Sequence, residues 1–189
     1  MFQRLKREFF PHPDAFDRRL GVQTAGISSL FWKRLLHRKD FFRYQAVDES
    51  YFREAIKDVP RWPFIDMGCG KGRALILAHE AGFTDLTGVD FSAKLCRAAR
   101  GNLTRLGIRA SVICQDAGEF QFPRHPAIVF FYNPFGSDLM QRVLANAGSE
   151  PRIFVYVNFL HESLFQPFKL SRRGEAFALF ATHDYATGA

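Results

Sequence analysis

The chain has 189 residues, 47% of them hydrophobic and 24% charged, with a formal net charge of +7. That length suits one domain with material for a sizeable core, and the composition excludes a disordered chain. No apolar run approaches the ~20 residues of a membrane helix, and the start, MFQRLKREFF, lacks the apolar stretch of a secretory signal, so the expectation is a soluble cytoplasmic protein without a membrane partner.

The first 61 residues hold 13 Lys and Arg against 8 Asp and Glu. We read residues 1–62 as a basic, helical N-terminal arm. Leu30, Trp32, Leu35 and Leu36 stand among basic residues there, and Tyr51 to Ile56 continues in the same style. Such an arm suits weak contact with nucleic acid or with an acidic partner, or simply a solvated surface. Pro60 and Pro63 break any helix, and residues 63–189 read as the main domain.

After Pro63 the pattern changes. FIDMG, from Phe64, is a short buried strand bounded by glycine, and residues 72–81 form a helix closed by Gly82. Leu86 to Asp90 is a second strand, and Ser92 caps a helix with Leu95, Ala99, Leu103 and Leu106 on one face. Ala110 to Asp116 is a third strand. Ala127 to Asn133 is a fourth, apolar almost throughout, as a central parallel strand should be. A helix over Asp138 to Ala147, a strand over Arg152 to Phe159 and a closing hairpin near Phe168 to Ser171 and Ala176 to His183 complete the chain. Strand and helix alternate, which predicts an α/β fold with a doubly wound, mostly parallel seven-stranded sheet. Ligands of such sheets bind beyond the carboxyl ends of the strands, so Asp66, Gly68, Asp90, Asp116, Asn133 and Asn158 are the positions of interest.

Three cysteines, Cys69, Cys96 and Cys114, are widely spaced, and there is neither a CxxC nor an HExxH, so no metal site is expected. Asp66-Met67-Gly68-Cys69-Gly70-Lys71-Gly72 is the stretch that carries chemistry. A Walker A loop needs GxxxxGK[ST], which fails here because Gly72 follows Lys71. The dinucleotide fingerprint needs a third glycine where Arg73 stands, and no convincing Tyr-x-x-x-Lys is present, which disfavours an NAD oxidoreductase. Asp90 ends the second strand, where a carboxylate can accept both hydroxyls of a ribose or cap the next helix. Asp116 with Ala117 follows the third strand, where Asp-Ala-Gly also makes a plain turn.

The acid-x-Gly-x-Gly-x-Gly loop, with an acid closing each of the first three strands, resembles the class I S-adenosylmethionine-dependent methyltransferases. The resemblance covers Phe64 to His183. It implies S-adenosyl-L-methionine as cofactor. Gly68, Gly70 and Gly72 would pass under its methionine part, with Asp66 near its amino group. Asp90 with Phe91 would stand at the ribose, and Asp116 with Ala117 at the adenine. Phe16 to Gly26 (FDRRLGVQTAG), Phe64 to Ala78 and FYNPFG are similar to a group of small bacterial class I methyltransferase-like proteins of unsettled substrate.

The fourth strand ends Asn133-Pro134-Phe135-Gly136, which resembles the (D/N)PP(Y/F) motif of methyltransferases acting on nitrogen. In that motif the Asn oxygen and Pro carbonyl hold the target nitrogen while the ring stacks on the substrate. This chain has one Pro, and its Phe stands one place early. The alternative is a strand end opening a helix. The resemblance therefore implies methyl transfer to a nitrogen of a protein or RNA, with Asn133, Pro134 and Phe135 as catalytic candidates. The alternative is a module that binds S-adenosylmethionine or S-adenosylhomocysteine and transfers nothing. The arm is expected to cover the cofactor, with Gln23 to Gly26 and Tyr44 either reaching the pocket or serving the structure of the arm, and the 22 phenylalanines are expected to serve packing.

Overall fold

The computed structural model describes residues 13–26, 45–132 and 134–183. The arm helix expected around Leu30 to Arg38, with Tyr44, lies outside the described residues. Helix α1 is Ala15–Leu20, opened by the Asp14 carboxylate accepting from Asp17 N at 2.9 Å and closed by Gly21 at φ 66°. Helix α2, Glu49–Ala55, starts the same way: Asp48 accepts from Ser50 N at 2.8 Å and Tyr51 N at 3.4 Å.

The rest of the chain alternates strand and helix as expected. Strand β1 is Phe64–Met67, followed by α3 (Arg73–Glu80), β2 (Leu86–Asp90) and α4 (Ala93–Arg105). Then come β3 (Ser111–Cys114), a 3-10 turn at Ala117–Glu119, β4 (Ala127–Tyr132) and α5 (Ser137–Ala145). Strand β5 (Arg152–Val157), a second 3-10 turn (Glu162–Phe165), β6 (Lys169–Arg173) and β7 (Phe177–Ala181) close the sheet. Ser92 caps α4 as expected, accepting from Leu95 N at 3.4 Å. Within α4 the fully buried stripe runs through Cys96, Ala99 and Leu103, and Leu95 lies at its margin.

The seven strands are ordered β3-β2-β1-β4-β5-β7-β6. Strands β1 to β5 pair in parallel, and β7 runs antiparallel between β5 and β6. The chain builds outward from β1 to β3, then returns to lay β4 against the other side of β1. The sheet therefore has its topological switch between β1 and β4, where α/β sheets open a crevice at the strand ends.

Side chains alternate across the sheet. Ile128 and Phe130 of β4 face α2, α3 and α4, and Val129 and Phe131 face α5. On the first face Phe52 of α2 sits 5.1 Å from Phe130, and Phe64 5.7 Å from Phe130, measured between ring centroids. On the second face Phe165 lies 4.8 Å from Phe180 and 5.1 Å from Tyr156. These aromatic layers absorb much of the phenylalanine as core. Strand β5 ends where Asn158 takes a left-handed φ of 53°.

Candidate functional site

The glycine loop leaves β1 at the switch point. Gly68 N and Cys69 N both donate to Val89 O, at 2.8 and 2.9 Å, which turns the chain sharply over the end of β2. Gly68 has φ 90°, and a Cβ there would lie 2.5 Å from the Pro134 Cβ. Only glycine supplies both the conformation and the room. The loop ends on Gly72, which seats α3 against α4: a Cβ at Gly72 would meet the Ala99 Cβ at 3.3 Å. Gly88 of β2, which the motif pattern does not include, is as constrained, because a Cβ there would lie 2.8 Å from Cys69 Sγ.

Two acids converge beneath this loop. Asp66, in β1, is 4% exposed, and burial, then the neighbouring Asp90, pushes its carboxyl from 3.8 up to about 8. Asp90, at the end of β2, is 8% exposed. Its Oδ2 accepts from Gly70 N at 2.9 Å and its Oδ1 from Ser92 N at 2.8 Å. Burial raises its pKa, and those two amides oppose the rise. The amide bonds leave each carboxylate oxygen with a further lone pair for a hydroxyl donor. Asp90 thus ties the glycine loop to the turn that leads into α4, whose cap is Ser92.

Asp116 lies beyond β3, which ends two residues earlier than expected. Its Oδ1 accepts from Gly118 N at 2.9 Å and stands 3.9 Å from Arg142 Nη2. That closes the 3-10 turn and buries Ala117 beside it. Phe91, directly after Asp90, is 37% exposed. Cys69 and Cys96 are buried and Cys114 is exposed, all as free thiols. Cys96 Sγ donates to Asp90 O at 3.3 Å, so the backbone of that acid is held from below.

At the end of β4, Tyr132 is half-buried, and burial, followed by Asp48 and Tyr51, raises its pKa. Asn133 lies outside the described residues. Pro134 abuts Gly68, bringing the fourth-strand motif against the glycine loop. Phe135 is 4% exposed and packs in the α5-side core with Met67 and Leu139.

Residues 14–25 meet the glycine loop and the start of α3 through contacts with no sequence signal. Arg73, in the place of the fingerprint's third glycine, is 7% exposed and pairs with Asp14 at 2.6 Å and Asp17 at 3.3 Å. Lys71 Nζ donates to Ala25 O at 2.7 Å, and Asn102 Nδ2 donates to Lys71 O at 3.0 Å. These partners lie 31 to 59 positions apart in the chain. Among the described residues no group of three His, Cys, Asp or Glu is placed to hold a metal ion, and no helix is long and apolar enough to cross a membrane.

Residues 64–149 match a family model described as "Methyltransferase domain". No curated protein matches the chain. Similar solved structures include a ribosomal protein L11 methylase from Lactobacillus delbrueckii subsp. bulgaricus, 16% identical over 69% of this chain and 75% of that one, TM-score 0.51. A predicted N6-adenine-specific DNA methylase from Listeria monocytogenes is 14% identical over 72% and 51%, TM-score 0.57. The pyocyanin biosynthetic protein PhzM is 17% identical over 69% and 54%, TM-score 0.55. The chain spans about half the length of the last two. At these identities the likeness is one of fold, and it does not choose an acceptor. Residues 64–149, somewhat under half of the chain, are thus similar to the methyltransferase-domain family, and the strand order and the acid-lined glycine loop accord with that likeness.

Proposed function

We propose that this protein transfers the methyl group of S-adenosylmethionine to a nitrogen of a macromolecular acceptor, a protein in preference to an RNA. The observation that carries the cofactor reading is the pair Asp66 and Asp90, buried under the glycine loop with Asp90 Oδ2 on Gly70 N. Asp66 would face the cofactor's ammonium, Asp90 with Phe91 its ribose, and Asp116 with Ala117 the adenine. Gly68 and Gly72 give the loop the left-handed turns that seat it against Pro134 and Ala99, and with Gly70 they are assigned to the cofactor's methionine part. When bound, the cofactor supplies a sulfonium methyl, a strong electrophile with a neutral leaving group, so the chain needs no nucleophile of its own.

What this chain contributes is orientation. Asn133 and the Pro134 carbonyl are assigned to the acceptor nitrogen, because Pro134 is seated against Gly68. Protein is favoured over RNA because arginines of the described arm are engaged with acids. Arg53 pairs with Glu49 at 2.7 Å and Glu80 at 2.6 Å, and Arg19 pairs with Glu49 at 3.2 Å. On this reading residues 1–62 are an arm and 63–189 the catalytic domain.

One observation favours the second reading, a binding module without transfer: the Phe135 ring is packed in the core rather than offered to a substrate. Labelled-methyl transfer into cell-extract fractions separates the two. Transfer that survives in the wild type and is lost in Asn133→Ala, with S-adenosylhomocysteine binding intact in both, supports the enzyme. Binding without any transfer supports the module. Asp90→Ala is expected to abolish binding, and an unchanged affinity overturns the cofactor geometry.

A further inference from the structure

Residues 23–25 are held from three sides. From α1, the Asp17 carboxylate accepts from Thr24 N at 2.9 Å, Thr24 Oγ1 at 2.6 Å and Ala25 N at 2.7 Å. From the junction of glycine loop and α3, Arg73 Nε donates to Thr24 Oγ1 at 2.7 Å and Lys71 Nζ to Ala25 O at 2.7 Å. From α4, Asn102 Oδ1 accepts from Gln23 N at 3.1 Å and Asn102 Nδ2 donates to Gln23 O at 3.3 Å. Asp17 is 2% exposed, Thr24 is fully buried, and the Arg73 guanidinium lies 4.6 Å from the Phe16 ring centroid.

A buried ion pair is a poor device for stability alone, since a well-packed apolar pair commonly does as well. Its strength is geometric, because each charge needs its partners in fixed places. The places fixed here are the turn from loop to α3 and the backbone of residues 24 and 25. A lid would need contacts that open readily; this segment is bound through a buried network.

We propose that residues 22–26 form a fixed wall at the amino-acid end of the cofactor cleft, and that Arg73 and Asp17 are positioning residues that set this wall against Lys71 of the glycine loop. The proposal rests on the cofactor reading given above. It implies that loss of the pair damages recognition of the cofactor's amino-acid end and spares its nucleoside end, which Asp90 and Asp116 serve.

The test is calorimetric titration of the full chain with two probes. S-adenosylhomocysteine carries both ends, and 5′-methylthioadenosine lacks the amino-acid end. Arg73→Met is expected to weaken S-adenosylhomocysteine by about tenfold, which is about 1.4 kcal/mol, and to move methylthioadenosine by less than about twofold on the same scale. Arg73→Lys should retain part of the affinity. The combined Asp17→Leu and Arg73→Met variant removes both buried charges. It should melt closer to the wild type than Arg73→Met does, yet keep the S-adenosylhomocysteine defect. Equal loss of both probes, or wild-type affinity in the combined variant, overturns the wall. A wild type that binds neither probe overturns the cofactor reading and the wall with it, whereas a binding wild type with unmoved variants overturns the wall alone.

Discussion

Asp66 makes the sharpest prediction at the scale of single residues. Unfolded, its carboxyl loses the proton near 3.8; folded, it keeps it to about 8. Between those values the folded state binds the extra proton, so stability must fall as pH rises across that window and level off above it. Asp90 is shifted the same way and adds to the slope. Asp66→Asn should flatten the profile and be more stable than the wild type at pH 8, by at least the roughly 1.4 kcal/mol of one pKa unit. Urea unfolding at pH 5 and pH 8 measures this. Binding of the cofactor's ammonium should ionise the same carboxyl and release a proton near pH 7. Titrations in buffers of different ionisation enthalpy read that release, and Asp66→Asn should abolish it. Gly68→Ala combines a left-handed φ with a 2.5 Å approach to Pro134, and should lose S-adenosylhomocysteine binding in a thermal-shift measurement. Of the three thiols, Cys114 alone is exposed, whereas burial raises Cys69 well above its ordinary range and Cys96 to about 12. Iodoacetamide at neutral pH should alkylate Cys114 in the folded chain and all three thiols in urea, counted by mass.

Among the elements, α2 is packed onto the sheet from one face. Phe52 is fully buried and packs edge-on against Phe64 and tilted against Phe130, while Arg172 of β6 donates to the carbonyls of Glu54 and Ala55 and pairs with Asp58 at 2.9 Å. The helix is therefore clamped on both the parallel part of the sheet and its antiparallel edge. Phe52→Ala should cost about 3–5 kcal/mol by cavity formation, read as an earlier urea midpoint with unchanged slope. Loss of slope together with early protection loss in residues 45–60 would instead mean that α2 opens independently of the sheet.

For the molecule as a whole, the basic charge is the open lever. If the acceptor were RNA, binding would weaken steeply with salt as counterions are released. The ion pairs of Arg19, Arg53 and Arg73 predict weak RNA binding with a shallow salt slope. A filter-binding series against tRNA that gave a steep slope would reassign the acceptor. A ligand that binds only the folded state should also raise stability by about 2.7 kcal/mol at a hundredfold excess over its dissociation constant. S-adenosylhomocysteine should therefore shift melting where NAD does not.

The amino-acid sequence by itself determined the succession of strands and helices, the glycine loop and its flanking acids. Each is written in neighbouring residues: period, glycine spacing, an acid at a strand end. Boundaries drifted by a residue or two, as at β3, where Asp116 turns its carboxylate to Gly118 N and leaves the strand. Tertiary structure alone decided the order in which the strands lie side by side and the union of Asp66 with Asp90 under one loop. It also decided the need for glycine at position 88 and the burial of Phe135. It alone joined Arg73 to Asp17, 56 positions away. A buried charge finds its partner through space, and no local pattern along the chain encodes that meeting.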